Sequence, residues 1–435
     1  MAAPRRRAPP VTSAQAADPA SCLVFVFSLT DTVAMHASEP RLILPEPPDA
    51  LKHLSRELVG RMRERERSEG FLSFAEYMDM ALYEPGLGYY SAGLTKLGEA
   101  GDFITAPELG TVFATCLAQQ VAEVAETLDG PWEIVEIGAG SGRLAADMLN
   151  ALGSADNAQP TRYRILERSA DLRAEQSRTL AERAPDHVDR VSWLDAPPTD
   201  HWQGALIANE VIDALAVERF EITDGGPRQL GVTFQDNDSE LVLAWSDRAA
   251  PAALARRIEN LQSRLPAPLA SGYRSELCAT LPAWLASVTE SLETGVALFL
   301  DYGYPRSEYY HPARRDGTLV CQTRHRAHFD PFAWPGLQDI SAFVDFTALA
   351  EAADQASLEV AGYAPQNQFL FGCGLGELLA GHANLPLVDQ QALSHEIKQL
   401  TLPGAMGEKF QAMALARGLD RPLRGFSVGD WLDRL

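Results

Sequence analysis

From Trp132 onward the chain alternates between two hydrophobic periods. Short apolar runs, WEIVEI (132–137), RYRILE (162–167), VSWL (191–194), ALIAN (205–209) and VALFLD (296–301), are separated by stretches with apolar residues at helical spacing. This alternation predicts an α/β fold built on a parallel sheet with crossover helices. Upstream, LKHLSRELVGRMRERERSEG (51–70) gives way at Gly70 to FLSFAEYMDMALY, so residues 49–83 read as helical, with Ser73 as a candidate N-cap. Residues 84–110 are punctuated by Gly and Pro and read as a long irregular connection; TVFATCLAQQVAEVAETL (111–128) resumes a helix. Between the fourth and fifth runs, VERFEITDGGPRQLGVTFQDNDSELVLAW (217–245) alternates like strands around Asp-Gly-Gly and Asp-Asn-Asp turns, an inserted β-hairpin unit. Residues 249–292 read as two helices separated by Pro-rich loops.

Composition narrows the class of protein. Hydrophobic residues are 46% and charged residues 22% of the 435, ordinary for a globular chain, so disorder is expected only locally. The net charge of −22 argues against nonspecific nucleic-acid binding and favours a basic polypeptide as partner. Five scattered cysteines, without a CxxC pair, give neither a disulfide framework nor a zinc site, and a cytoplasmic, bacterial-type location is the expectation. No apolar run is long enough to span a bilayer. The first 17 residues are Arg/Pro/Ala/Ser-rich, like a transit peptide or the translation of an upstream false start, with Met35 as the alternative start. His325 and His328 in RHRAH lack a third nearby ligand, so no metal is expected.

The chemistry concentrates at WEIVEIGAGSGR (132–143). A strand that breaks into glycines before a helix offers backbone N–H groups and a positive helix end to a ligand. The dinucleotide fingerprint GxGxxG fails, because its sixth position is Arg143; the order is GxGxG, with Gly138, Gly140 and Gly142 preceded by Glu136. That order is the pattern of S-adenosyl-L-methionine (SAM) sites. SAM carries an ammonium and a sulfonium but no phosphate, so a carboxylate beside the turn attracts it. Glu167, closing the second strand, is placed for two ribose hydroxyls, and Asp195, after the third, for an adenine amino group. Taken singly, Glu167 reads equally as a solvated strand end and Asp195 as a helix N-cap.

Several segments then carry a resemblance: GEAGDFITAPELG, VEIGAGSGRLAADML, LERS, ANEVIDALAVERF, FLDYGY, PGLQDISAFVDFTAL and PGAMGEKFQAMALARG. In this order they resemble the MidA-type family of class I SAM-dependent methyltransferases, over about residues 57–416. The resemblance implies a Rossmann-like SAM-methyltransferase sheet with an N-terminal helical and loop extension and an inserted β-hairpin plus helical unit. Divided accordingly, residues 1–48 are a disordered extension, 49–130 the helical and Gly-rich region, 131–215 the first part of the core, 216–294 an inserted substrate-facing subdomain, 295–416 the rest of the core and 417–435 a tail. The family includes the mitochondrial protein arginine methyltransferase that assists complex I assembly, so the likeness implies a protein substrate, an arginine acceptor and a complex I core subunit as partner. Carried over by position, Gly101, Asp102 and Thr105 belong to a loop lining the cofactor. There are two departures from the family's pattern: in the glycine turn Ala139 and Ser141 stand where many relatives have proline and arginine, and Phe343 stands where some have histidine.

Methyl transfer to arginine needs carboxylates, because the guanidinium stays protonated and delocalised until reaction. Glu210, directly after the fourth strand, is expected to bind it, with Asp213 as second carboxylate and Asn209 as a hydrogen-bonding positioner; Asp213 as a cap of the following turn is the competing reading. Asp301 in DYG either lines the site or only closes a strand-end turn. The competing functions are methylation of another protein residue or a small molecule, and a SAM-binding assembly chaperone with little turnover.

Overall fold

The computed structural model describes residues 44–93, 104–154, 159–237, 240–324, 326–381 and 385–435. Its centre is a sheet of β1 (Glu133–Ile137), β2 (Arg162–Leu166), β3 (Val191–Leu194), β4 (Trp202–Asn209), β5 (Leu292–Tyr304), β6 (Glu359–Pro365) and β7 (Phe410–Arg417). Their spatial order is 3-2-1-4-5-7-6, and the short strand Val344–Asp345 extends the end of β5. β1 to β5 are parallel, whereas β7 runs antiparallel to both β5 and β6.

Successive residues of a strand point to opposite faces, and here both faces are covered. Ile134, Ile165, Ile207 and Leu298 bury with helices Val112–Ala125 and Arg143–Ser154 on one side. Val135, Leu206, Phe299 and Met413 bury on the other, with helices Leu281–Thr289 and Phe346–Gln355. Double coverage is why the central runs ALIAN and VALFLD are apolar at nearly every position. β6 and β7 escaped the pattern because EVAGYAP and FQAMALAR are rich in Ala and Gly, residues of low strand preference, and owe their strand state to burial between neighbours.

Helix Asp49–Glu69 stops at Gly70, in the left-handed region with φ 76°. Ser73 then caps helix Phe74–Tyr83 through a reciprocal box: its hydroxyl accepts from the Glu76 N–H at 3.2 Å, and the Glu76 carboxylate accepts from the Ser73 N–H at 3.0 Å. The insert between β4 and β5 forms its own antiparallel sheet from Glu218–Thr223, Gly226–Asn237, Glu240–Ala249 and Arg274–Leu277, joined by Leu72–Ser73. Arg274–Leu277 lies where only helices and loops were expected; at four residues it is too short to show a period. Its buried Glu276 accepts from the Thr318 N–H at 2.9 Å. The last three residues of RHRAH belong to a second small sheet, Val320–Thr323, Arg326–His328 and Asp339–Ser341. His325 lies outside the described residues, His328 is buried and accepts from the Asp330 N–H, and no metal-ligating cluster occurs among the described residues. No described helix is long and apolar enough to cross a membrane. The last residues pack on the core: Phe426 meets Phe369, and the Trp431 N–H donates to the Tyr363 carbonyl at 2.6 Å.

Candidate active site

The strand order reverses between β1 and β4, which opens a crevice at their carboxyl ends. From β1 the chain enters the glycine turn. Gly138, Gly140 and Gly142 have φ of 65°, 53° and 83°, a left-handed backbone that side chains resist. The turn feeds helix Arg143–Ser154 and is held from behind by Gln176, whose carboxamide donates to the Gly140 carbonyl at 3.0 Å and to the Glu167 carboxylate at 3.2 Å. Trp193 in turn donates to the Gln176 oxygen at 2.8 Å. Gln176 was not anticipated; a polar residue in the middle of the helix LRAEQSRTL carries no local signal of such a role.

The segment Ala106–Leu109 closes one side of the crevice, with Thr105 at its N-cap position. It is fastened to the glycine turn by three contacts: the Ser141 hydroxyl donates to the Glu108 carboxylate, Arg143 donates to the Glu108 carbonyl at 2.7 Å, and its charge lies 3.8 Å from the Glu108 carboxylate. The departure at Ser141 thus has a local use.

From β4 the chain enters the loop 209–213. Asp301, at the end of β5 and buried, receives the N–H groups of Val211, Ile212 and Asp213 on one oxygen at 3.3, 3.0 and 3.2 Å, and the Glu210 N–H donates to the Leu300 carbonyl at 2.9 Å. This clamp holds Glu210 at φ 53°, a strained conformation for a residue with a side chain, of the kind that concentrates at functional sites. Of the two readings of Asp301, the structure shows the turn-organising one: it holds the 211–213 backbone and does not line the cavity. Asp213 accepts from the Tyr302 hydroxyl with one oxygen, while its other oxygen and the Asn209 carboxamide oxygen are buried without hydrogen bonds. Asn209 donates to Glu210 at 3.2 Å.

One cavity brings these parts together. Thr105, Glu108, Glu136, Gly138, Gly140, Asn209, Glu210 and Asp213 line it, along with Tyr90, Tyr302, Gln322 and Asp339, which the sequence reading had not singled out. Gly142 supports the turn from outside the lining, and Glu167 stands behind it, accepting from the Ser169 N–H at 2.8 Å as well as from Gln176. Asp195 does not face the cavity: its carboxylate is 91% exposed and held at 2.6 Å by Arg173, in the first turn of the preceding helix Ala170–Arg183, which also grips the Leu194 carbonyl. Gly101 and Asp102 lie outside the described residues. Phe343 packs edge-on against Tyr302 and lines a neighbouring cleft instead.

Crowding acidic groups away from water disfavours their ionised forms. Burial pushes the Glu210 carboxyl up to about 8, with the charge of Asp213 adding to it. Burial also lifts Asp213 to about 6, against the Tyr302 hydrogen bond, and Glu136 to about 7, against the hydroxyl of Tyr163, which donates to it at 2.7 Å. No lysine or arginine is among the described lining residues. Among side chains, a diphosphate would meet only like charge there, whereas an ammonium, a sulfonium or a guanidinium meets the opposite charge.

Fold, glycine turn and acidic crevice together define a class I, SAM-dependent methyltransferase. A family model described as "Putative S-adenosyl-L-methionine-dependent methyltransferase" matches residues 116–364. The crystal structure of a "likely methyl transferase" from Burkholderia thailandensis bound to S-adenosyl-homocysteine is 37% identical, covering 90% of this chain and 100% of its own, with a TM-score of 0.83. The mouse mitochondrial protein arginine methyltransferase NDUFAF7 is 30% identical over 378 residues, 80% of this chain and 82% of its own length; its Drosophila melanogaster homolog is 28% identical over 424 residues, 89% and 93%. The chain belongs to this family of SAM-dependent methyltransferases, and SAM is its cofactor.

Proposed function

We propose that the chain methylates an arginine side chain of a protein, with a core subunit of respiratory complex I as the acceptor that the family resemblance implies. The observation that carries this reading is the cavity itself: the carboxylates of Glu210 and Asp213 converge in it with Asn209, a set of groups that fits a planar cation with several N–H donors. The mitochondrial relatives are named as protein arginine methyltransferases, which supports the same choice.

In this reading Glu136 and the glycine turn hold the cofactor, which supplies a methyl group on a sulfonium, and Glu167 braces the turn through Gln176. Glu210 grips the guanidinium bidentately and concentrates electron density on the attacking nitrogen. As the nitrogen–carbon bond forms and the sulfur–carbon bond breaks, the guanidinium gives up one N–H proton; the carboxylate cluster can take it and pass it to solvent. Labelled SAM and a proteome from cells lacking this chain test the reading. Label is expected in methylarginine after hydrolysis; label in methyllysine or in small molecules alone sinks it.

Ionised Glu210 is required to hold the cation, and a carboxyl raised to about 8 is mostly protonated below that pH. The kcat/KM for the protein acceptor should therefore climb up to ~10-fold per unit as pH rises toward 8 and level off above it, with the apparent value belonging to the coupled cluster. A profile that is flat or falls between pH 6 and 9 contradicts this role for Glu210.

A further inference from the structure

One wall of the cavity comes from outside the central sheet. Gln322 and Asp339 are register partners on adjacent antiparallel strands of the small sheet, so their side chains stand on one face, and both line the cavity. Asp339 is only 5% exposed and accepts from the Tyr90 hydroxyl at 3.0 Å. The spacing between this wall and the Glu210 loop is fixed twice. The Ala342 N–H donates to the Asp213 carbonyl at 3.0 Å, and Tyr83, stacked on Tyr90, donates to the Ala214 carbonyl at 2.9 Å.

The two acidic walls suit different cations differently. A lysine ammonium is a compact charge that one carboxylate satisfies, whereas a guanidinium spreads five N–H donors around a plane, more than one carboxylate can take. We propose that Asp339, with the Gln322 carboxamide beside it, is a second acceptor-binding group, and that gripping the guanidinium from both this wall and Glu210 selects arginine over lysine. The inference rests on the arginine reading and assigns its selectivity to the small sheet rather than to the central one.

The test uses the full chain and the acceptor protein found by the labelling experiment, with S-adenosyl-homocysteine as the binding probe. Asp339→Asn should raise the KM for the acceptor by at least ~10-fold, the loss of one charge-assisted hydrogen bond, while the Kd for S-adenosyl-homocysteine changes by less than ~3-fold. Its preference for the natural acceptor over one carrying lysine at the target position should fall by a similar factor. Gln322→Ala should shift KM in the same direction by less, and Asp339→Glu should recover part of the loss. An unchanged KM and preference in Asp339→Asn overturns the inference while wild-type labelling of arginine leaves the function intact. Loss of S-adenosyl-homocysteine binding in the same variant also overturns it, because Asp339 would then serve the cofactor or the scaffold. If the wild type labels no arginine, both readings fall together.

Discussion

Glu210→Gln should lower methyl transfer by at least ~10³-fold while leaving the Kd for SAM within ~3-fold. The substitution keeps the side chain's shape and removes its charge, so the loop clamped by Asp301 and Leu300 has no reason to move. The same variant should be more heat-stable than the wild type at pH 8. A carboxyl raised to about 8 in the folded state, from an ordinary value of 4.5, holds its proton more tightly folded than unfolded. Stability is then fully present below the ordinary value and is lost as pH rises through the raised one. The melting-temperature advantage of the variant should accordingly be small at pH 5, grow toward pH 8 and stay constant above it. Calorimetric melts at three pH values and a SAM titration check both halves. Loss of SAM affinity along with turnover would move Glu210 from the acceptor to the cofactor.

Gly142→Ala should be nearly as damaging, by a different route. Gly142 sits at φ 83°, and a Cβ there would lie 2.9 Å from the Cα of Gln176 and 3.1 Å from its Cβ. The obstacle is backbone, so helix Ala170–Arg183 would have to retreat and take with it the bonds from Gln176 to Gly140 and from Trp193 to Gln176. Left-handed strain and the clash together should cost ~2–4 kcal/mol of stability, and the loosened turn should weaken SAM binding by at least ~10-fold. Gly60→Ala is the control: it lies within helix Asp49–Glu69 with open space at its Cβ position and should be neutral or stabilising by up to ~1 kcal/mol. A Gly142→Ala protein with unchanged melting temperature and SAM affinity would remove the turn from the cofactor site.

The two cases separate what sequence can and cannot reveal here. Glu210 and the glycines were legible because each follows an apolar run that ends at one sheet edge, and strand order along the chain then brings them to one crevice. The five parallel strands were legible for the same reason. Gln322 and Asp339 were not, since they meet the site only through a small sheet whose strands are three or four residues long, below the length at which a period shows. Asp195 misled because position after a strand says where a backbone ends, not which cation claims its side chain; Arg173, 22 residues upstream, does. β6 and β7 needed their neighbours to become strands at all.

The fastening of Ala106–Leu109 has a kinetic consequence. Its Glu108 is latched to Ser141 and Arg143 beside the glycine turn, and its Pro107 lines the same cavity as Glu210. Four residues therefore span both half-sites, and whatever settles the first is felt at the second across less than one helical turn. Such an arrangement favours compulsory order, with the methyl donor arriving before the acceptor and its spent form departing last.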